Sequence, residues 1–175
     1  MRYFLKNKLI LFPSLFVLFI IAVFYSAFSN WSINDVNINY NNFAKEIVNL
    51  TNGVDYSVVD LSIGGNIIKT EVVFSREAQY KGLSNREEIS EKEGMLFVFN
   101  DDSQKTFLMR DMLFPLDIIF LENGRIRKIY SNLEPEGPNP NNKYVYGPAD
   151  VVLELRAGTS EKFGIKEGMW FNISY

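Results

Sequence analysis

"FLMRDMLFPLDIIFLENGRIRKIYS", residues 107–131, decides the fold class. Two apolar runs, "LDIIFL" and "RIRKIYS", flank "ENG", a short hairpin loop, and read as paired strands. The first fourteen residues hold ten apolar side chains and only three charges: Arg110, Asp111 and Asp117. A charge inside an apolar run is costly unless it is paired or hydrogen-bonded. Those three residues are therefore the first candidates for a clamp or a site.

Strand signals continue on both sides. "SVVDLSI" and "NIIKTEVVF" flank Gly64-Gly65, a tight hairpin turn. Ser75 is placed to cap a short helix, "REAQYK", and Gly82 to end it. "GMLFVF" reads as a buried strand and "QKTFLM" as another. "NLEPEGPNPNNK", residues 132–143, is too rich in proline and asparagine for a regular element. "YVYGPADVVLELRAG" resumes the strands, "TSEKFG" makes a helical turn, and "IKEGMWFNISY" ends in a strand. Seven or eight strands against two short helices predict an α+β, mainly β domain. Strand runs this close in sequence predict an antiparallel barrel-like or sandwich arrangement.

The domain is preceded by a different kind of sequence. Leu9–Phe28 is a nearly unbroken apolar run after the basic start "MRYFLKNK". As a helix it would span roughly 30 Å, the hydrocarbon thickness of a bilayer. The preceding positive charges place the N-terminus in the cytoplasm. Two readings stand: a retained single-pass anchor, or a signal peptide cleaved near Ala27–Ser29. Either one exports the rest of the chain. The expected organisation is an anchor or signal at 1–29, an Asn-rich linker at 30–53 and a domain at 54–175. "NFAKEIVNL" in the linker predicts one or two helical turns.

Composition narrows the chemistry. Three of the 18 basic residues and none of the 21 acids precede residue 30, which leaves the remainder at −6. A net-acidic body without a basic stripe predicts no nucleic-acid partner. The chain has neither cysteine nor histidine, which excludes disulfides, thiol nucleophiles and Ser–His–Asp catalysis within it. The usual zinc and copper ligands are missing too, so no metal or other cofactor is expected.

Four motifs in order, "TEVVFSREAQYKGLSNRE", "EGMLFVF", "FLMRDMLFPLDIIFLENGRI" and "VVLELRAGTSEKFGIKEGM", resemble the domain of unknown function 192 family from about Ile68 to Phe171. The resemblance implies a small, exported, β-rich domain with short helices. It implies no reaction, because the family's activity is unsettled. The family's Phe-Trp-Met-Lys-Asn-Thr run stands here as Phe107-Leu108-Met109-Arg110-Asp111-Met112, without the Trp and the hydroxyl. Its cysteines in the Pro-rich loop are absent here as well.

The candidate residues each carry two readings. Asp117 shares a strand face with Ile119 and Leu121. It is either a structural acceptor, paired with Arg110 or with backbone N–H groups, or a recessed general acid or base. Arg110 either pairs with Asp111 or Asp117 or binds an anionic ligand together with them. Glu154 interrupts "VVLEL" on the face shared with Val152. That face is either solvent or a cleft where Glu154 and Asp117 flank a scissile bond. The reading adopted is a membrane-anchored extracytoplasmic module, with binding favoured over catalysis, that binds an envelope polymer or a membrane-protein partner or supports envelope assembly. Its alternative is a carboxylate-dependent hydrolase or lyase on an envelope glycan.

Overall fold

The computed structural model describes residues 43–137 and 144–174. In chain order the elements are α1 (Phe43–Leu50), β1 (Ser57–Ile63), β2 (Asn66–Val73), α2 (Arg76–Lys81), β3 (Glu93–Val98), β4 (Gln104–Leu108), β5 (Leu116–Glu122), β6 (Arg125–Leu133), β7 (Tyr144–Pro148), β8 (Val151–Arg156), α3 (Thr159–Lys162) and β9 (Asn172–Ser174). Nine strands among the described residues exceed the seven or eight expected. The expected membrane helix at Leu9–Phe28 lies outside the described residues, as does the second half of the Pro-rich 132–143 loop. No helix among the described residues is long and apolar enough to cross a membrane.

Local chemistry sets several elements. β1 and β2 form the expected hairpin, with Ile63 opposite Asn66 and both loop glycines at positive φ. Asn123 and Gly124, also at positive φ, make the two-residue turn between β5 and β6. The Ser75 hydroxyl accepts the Ala78 N–H at 3.2 Å and starts α2, and Gly82 stops it at φ 49°.

Seven strands pair in the order β6-β5-β8-β3-β2-β1-β9, and β4 pairs with β7 in a separate ribbon. The sheet is not wholly antiparallel. β2 and β3 run parallel, because α2 carries the chain over the sheet between them and returns it in the same direction. Two edges of the sheet approach each other: Arg125 bridges Trp170, and the Ile126 N–H donates to the Met169 carbonyl at 2.9 Å. The sheet is therefore curled, a half-closed barrel.

Both sheet faces are covered. Leu96, Ile119, Leu121, Val151, Leu153 and Leu155 point into one apolar cluster. Met95, Phe97, Ile118, Phe120 and Val152, alternating with them, point into a second cluster. The first cluster is closed in part by Phe43 and Ile47 of α1. The stretch expected as a spacer up to residue 53 thus supplies core side chains from Phe43 onward. Its heptad-like spacing of Phe43 and Ile47 puts both on one side of the helix.

Gly94 marks the tightest place in the sheet. A Cβ there would stand 2.8 Å from both the Glu154 carbonyl oxygen and Leu155 Cδ2. Gly94→Ala is expected to cost about 2 kcal/mol of stability through overpacking, measured by urea unfolding of the full chain. An unchanged midpoint would show that β8 moves aside freely.

Candidate functional site

The site begins with the alternation of β8. Val151, Leu153 and Leu155 fill one cluster, so Val152 and Glu154 must face the other. Glu154 stands opposite Met95 of β3 and Ile118 of β5. The expectation of an outward, solvated Glu154 fails, because this second face carries its own cover. Glu154 is only 5% exposed, and its Oε2 has no hydrogen-bond partner. Burial pushes its carboxyl up to about 8. At neutral pH the group is therefore a neutral acid, with one O–H to donate and oxygens to accept.

Glu154 lines a cavity of about 370 Å³. One wall is the C-terminal end of α2 and its exit, Gln79–Ser84; the other is the whole of β4. Phe97, Phe99, Met112 and Arg110 complete it. The aromatic side chains support one another edge to face: Phe107 stands 4.9 Å from Phe97 and 5.8 Å from Phe120 between ring centroids. Gln79 is held by its amide, which donates to the Val98 carbonyl at 2.8 Å. Lys105 pairs with Asp101, donates to Ser103 Oγ at 2.7 Å and lies over the Phe99 ring.

Arg110 reaches this cavity rather than Asp117. Its guanidinium lies 4.2 Å from the centroid of the Tyr80 ring, a cation–π stack at a largely exposed tyrosine. Its Nε is 3.5 Å from Asp111 Oδ2. The expected Arg110–Asp117 clamp is not formed. Asp111 itself is in the left-handed region, φ 55°, and its carbonyl accepts the Asn85 N–H at 2.8 Å. That short polar residue turns the chain between β4 and β5, and its carboxylate is not among the groups lining the cavity.

Asp117 lies on the opposite face of the sheet, opposite Leu155, and is 0% exposed. Oδ1 accepts the N–H groups of Asn132 at 2.9 Å and Gly158 at 3.2 Å. Oδ2 accepts the N–H and the hydroxyl of Ser160 at 2.9 and 2.6 Å. Gly158, the residue before α3, has no side chain to cap that helix, and Asp117 takes over the task from a neighbouring strand. Every donor bond to Asp117 is structural. Asp117 and Glu154 do not meet, and the two-carboxylate arrangement of a glycosidase is not present.

Leu108, Arg110 and Met112, three of the positions where this chain departs from the family run, all line the cavity. Sequence reasoning missed Gln79, Tyr80, Phe97, Lys105 and Phe107. Only the exposed tyrosine beside a helix end, Tyr80, was a usable signal. Among the described residues no three acidic side chains converge as a cation site.

A family model described as DUF192, Uncharacterized ACR, matches residues 59–173. A protein of unknown function from Novosphingobium aromaticivorans is 31% identical, with a TM-score of 0.60 over 66% of this chain and 84% of that one. A candidate transcription regulator from Sinorhizobium meliloti is 26% identical, with a TM-score of 0.61 over 69% of this chain and 96% of that one. No curated protein matches the sequence.

Proposed function

We propose, for a chain that belongs to the DUF192 family, a membrane-anchored, extracytoplasmic binding module whose ligand enters the cavity over Glu154. The observation that carries this reading is the buried Glu154 carboxyl, with its Oε2 unpartnered, in a preformed cavity. A buried polar group without a partner costs stability and is retained where a ligand uses it. The cavity offers aromatic surface, one neutral acid and a stacked guanidinium, a mixture suited to a small polar group rather than to a bulk apolar ligand. The apolar Leu9–Phe28 run and the basic start before it support the anchor and the orientation.

The hydrolase alternative required Asp117 beside Glu154, and those residues are on opposite faces. A nucleic-acid role is not adopted either. The body from residue 30 onward is net acidic at −6, which disfavours phosphate backbones.

The test is an NMR screen of the full chain in detergent micelles against neutral amides, alcohols and sugars. Hits are expected to shift Thr106 and Phe107 and to weaken about tenfold in Arg110→Ala. Binding is expected to be constant up to pH 7 and to fall about tenfold per pH unit above 8, as Glu154 loses the proton it donates. Hits that ignore both the variant and the pH would overturn the site. Protease added outside intact cells should digest the body; a protected body would overturn the compartment.

A further inference from the structure

The cavity has one wall made of backbone. All five residues of β4 line it in succession, although alternate side chains of a strand point to opposite faces. What they share is the strand's free edge. Among the described residues β4 pairs with β7 alone, and the direction of its remaining backbone groups follows from the register. The Tyr130 hydroxyl donates to the Tyr146 carbonyl at 3.0 Å, so the backbone groups of Tyr146 point away from β4. Its partner Thr106 then belongs to a non-hydrogen-bonded pair, and its own N–H and C=O point to the free edge. Pro148, opposite Gln104, has no N–H to give, which fits the same register. Gln104 and Leu108 follow Thr106 by alternation. Among the described residues none of the three makes a backbone hydrogen bond on that side.

The edge is not buried unpaired against protein; it borders an open cavity. The cavity also has a charge. Lys81 and Arg110 line it against the single lining acid Glu154, within an otherwise net-acidic body; Arg110 shares its charge with Asp111 at 3.5 Å, and the third lining cation, Lys105, is paired with Asp101. A second copy of the chain is a poorer occupant, because its own β4 would bring its own Gln79–Ser84 wall to the contact. An extended segment of separate origin has no such obstacle.

We propose that the free edge of β4 is a docking site for an extended, acidic peptide segment of a partner protein, which adds as a third strand to the β4–β7 ribbon and crosses the cavity. Main-chain bonds to Gln104, Thr106 and Leu108 supply register, and Arg110 and Lys81 select acidic side chains. This deepens the binding reading above and rests on it. Exposed Tyr144, Tyr146 and Leu108, on the outer face of the ribbon, extend the platform beyond the cavity.

The probe is a phage-displayed heptapeptide library with Asp or Glu at alternate positions. It is panned on the full chain in detergent micelles, with the Arg110→Glu chain used for subtraction. The enriched peptide is then synthesised with single backbone N-methyl groups. Methylation at alternate residues, those whose amides face β4, is expected to weaken binding about tenfold, and at the intervening residues about twofold or less. Peptide binding should slow hydrogen exchange at Thr106 and Leu108 and leave Lys105 and Phe107 unchanged. Thr106→Pro, which removes an outward N–H and fixes φ, should weaken the peptide.

Failure to enrich any peptide over Arg110→Glu would overturn the proposal, as would equal sensitivity to N-methylation at every position. Amides of Thr106 and Leu108 already protected in the free chain would also overturn it. They would assign the edge to the chain's own residues, or to a second copy if protection rises with concentration. Small-molecule hits at the cavity without any peptide would sink this inference and leave the binding reading standing. Loss of both would sink both.

Discussion

Replacing Asp117 with alanine is expected to destabilise the fold by about 5 kcal/mol, among the largest effects of any single change here. The side chain is 0% exposed and accepts from Asn132, Gly158 and twice from Ser160. Alanine strands four donors, the N–H and hydroxyl of Ser160 buried and the N–H groups of Asn132 and Gly158 part-buried; each buried one costs roughly 1–3 kcal/mol when no partner or water replaces the carboxylate. Asp117→Asn keeps the shape but leaves one acceptor oxygen, and about half of the loss should return. Urea unfolding of the full chain checks both, with an unchanged m value showing that only stability moved. A loss below about 1 kcal/mol for alanine would mean that water enters and replaces the carboxylate, and the capping role would be refuted. Asp117→Asn is also expected to leave ligand binding at the cavity untouched, since the residue lies across the sheet.

Glu154→Gln is expected to act in the opposite sense and to stabilise the protein at neutral pH. Burial raises the folded carboxyl from 4.5 to about 8. Below pH 4.5 both the folded and the unfolded chain hold the proton, and Glu154 costs nothing by ionisation. Between about 4.5 and 8 the unfolded chain releases it while the folded chain keeps it. The folded state then binds more protons, so stability falls as pH rises through this window and levels off above it. At pH 7 the penalty is about 3 kcal/mol, at roughly 1.4 kcal/mol per unit. Glutamine cannot ionise, so the variant should unfold at higher urea than the parent at pH 7 and at about the same urea at pH 4. Parallel pH profiles for the two chains would show that Glu154 is not the group that titrates. The same variant should weaken any ligand that needs the carboxyl proton, so gain of stability and loss of binding are expected together.

Much of the local structure was legible in the residues. Gly64-Gly65 and Asn123-Gly124 turn where the sequence says, because few other residue pairs adopt successive positive φ. Ser75 caps and Gly82 ends α2 for equally local reasons. The alternation of "VVLEL" correctly split Glu154 from Leu153 and Leu155. It could not say what covers the Glu154 side. An acid every second residue on a strand reads as solvent-facing when one sheet face is wet, and here α2, the 109–115 turn and the β4–β7 ribbon cover the second face. The parallel β2–β3 pair was missed for a related reason. Strand runs close in sequence favour hairpins, and only a chain that crosses over the sheet on α2 reverses that expectation.

By itself, the sequence determined the element types, the turn positions, the strand faces and the chemistry denied to a chain without cysteine or histidine. Tertiary structure alone decided which charges are neighbours. Arg110 and Asp117 are seven positions apart in the chain, yet the turn between β4 and β5 sends the guanidinium to Tyr80 and the carboxylate through to the N-terminus of α3. Glu154 and Arg110 are 44 positions apart and line one cavity. Alternation is a property of a single strand and is carried by the backbone. Proximity depends on how strands are ordered and what packs on each face, and that order is set by the summed burial of two apolar clusters rather than by any one stretch of residues.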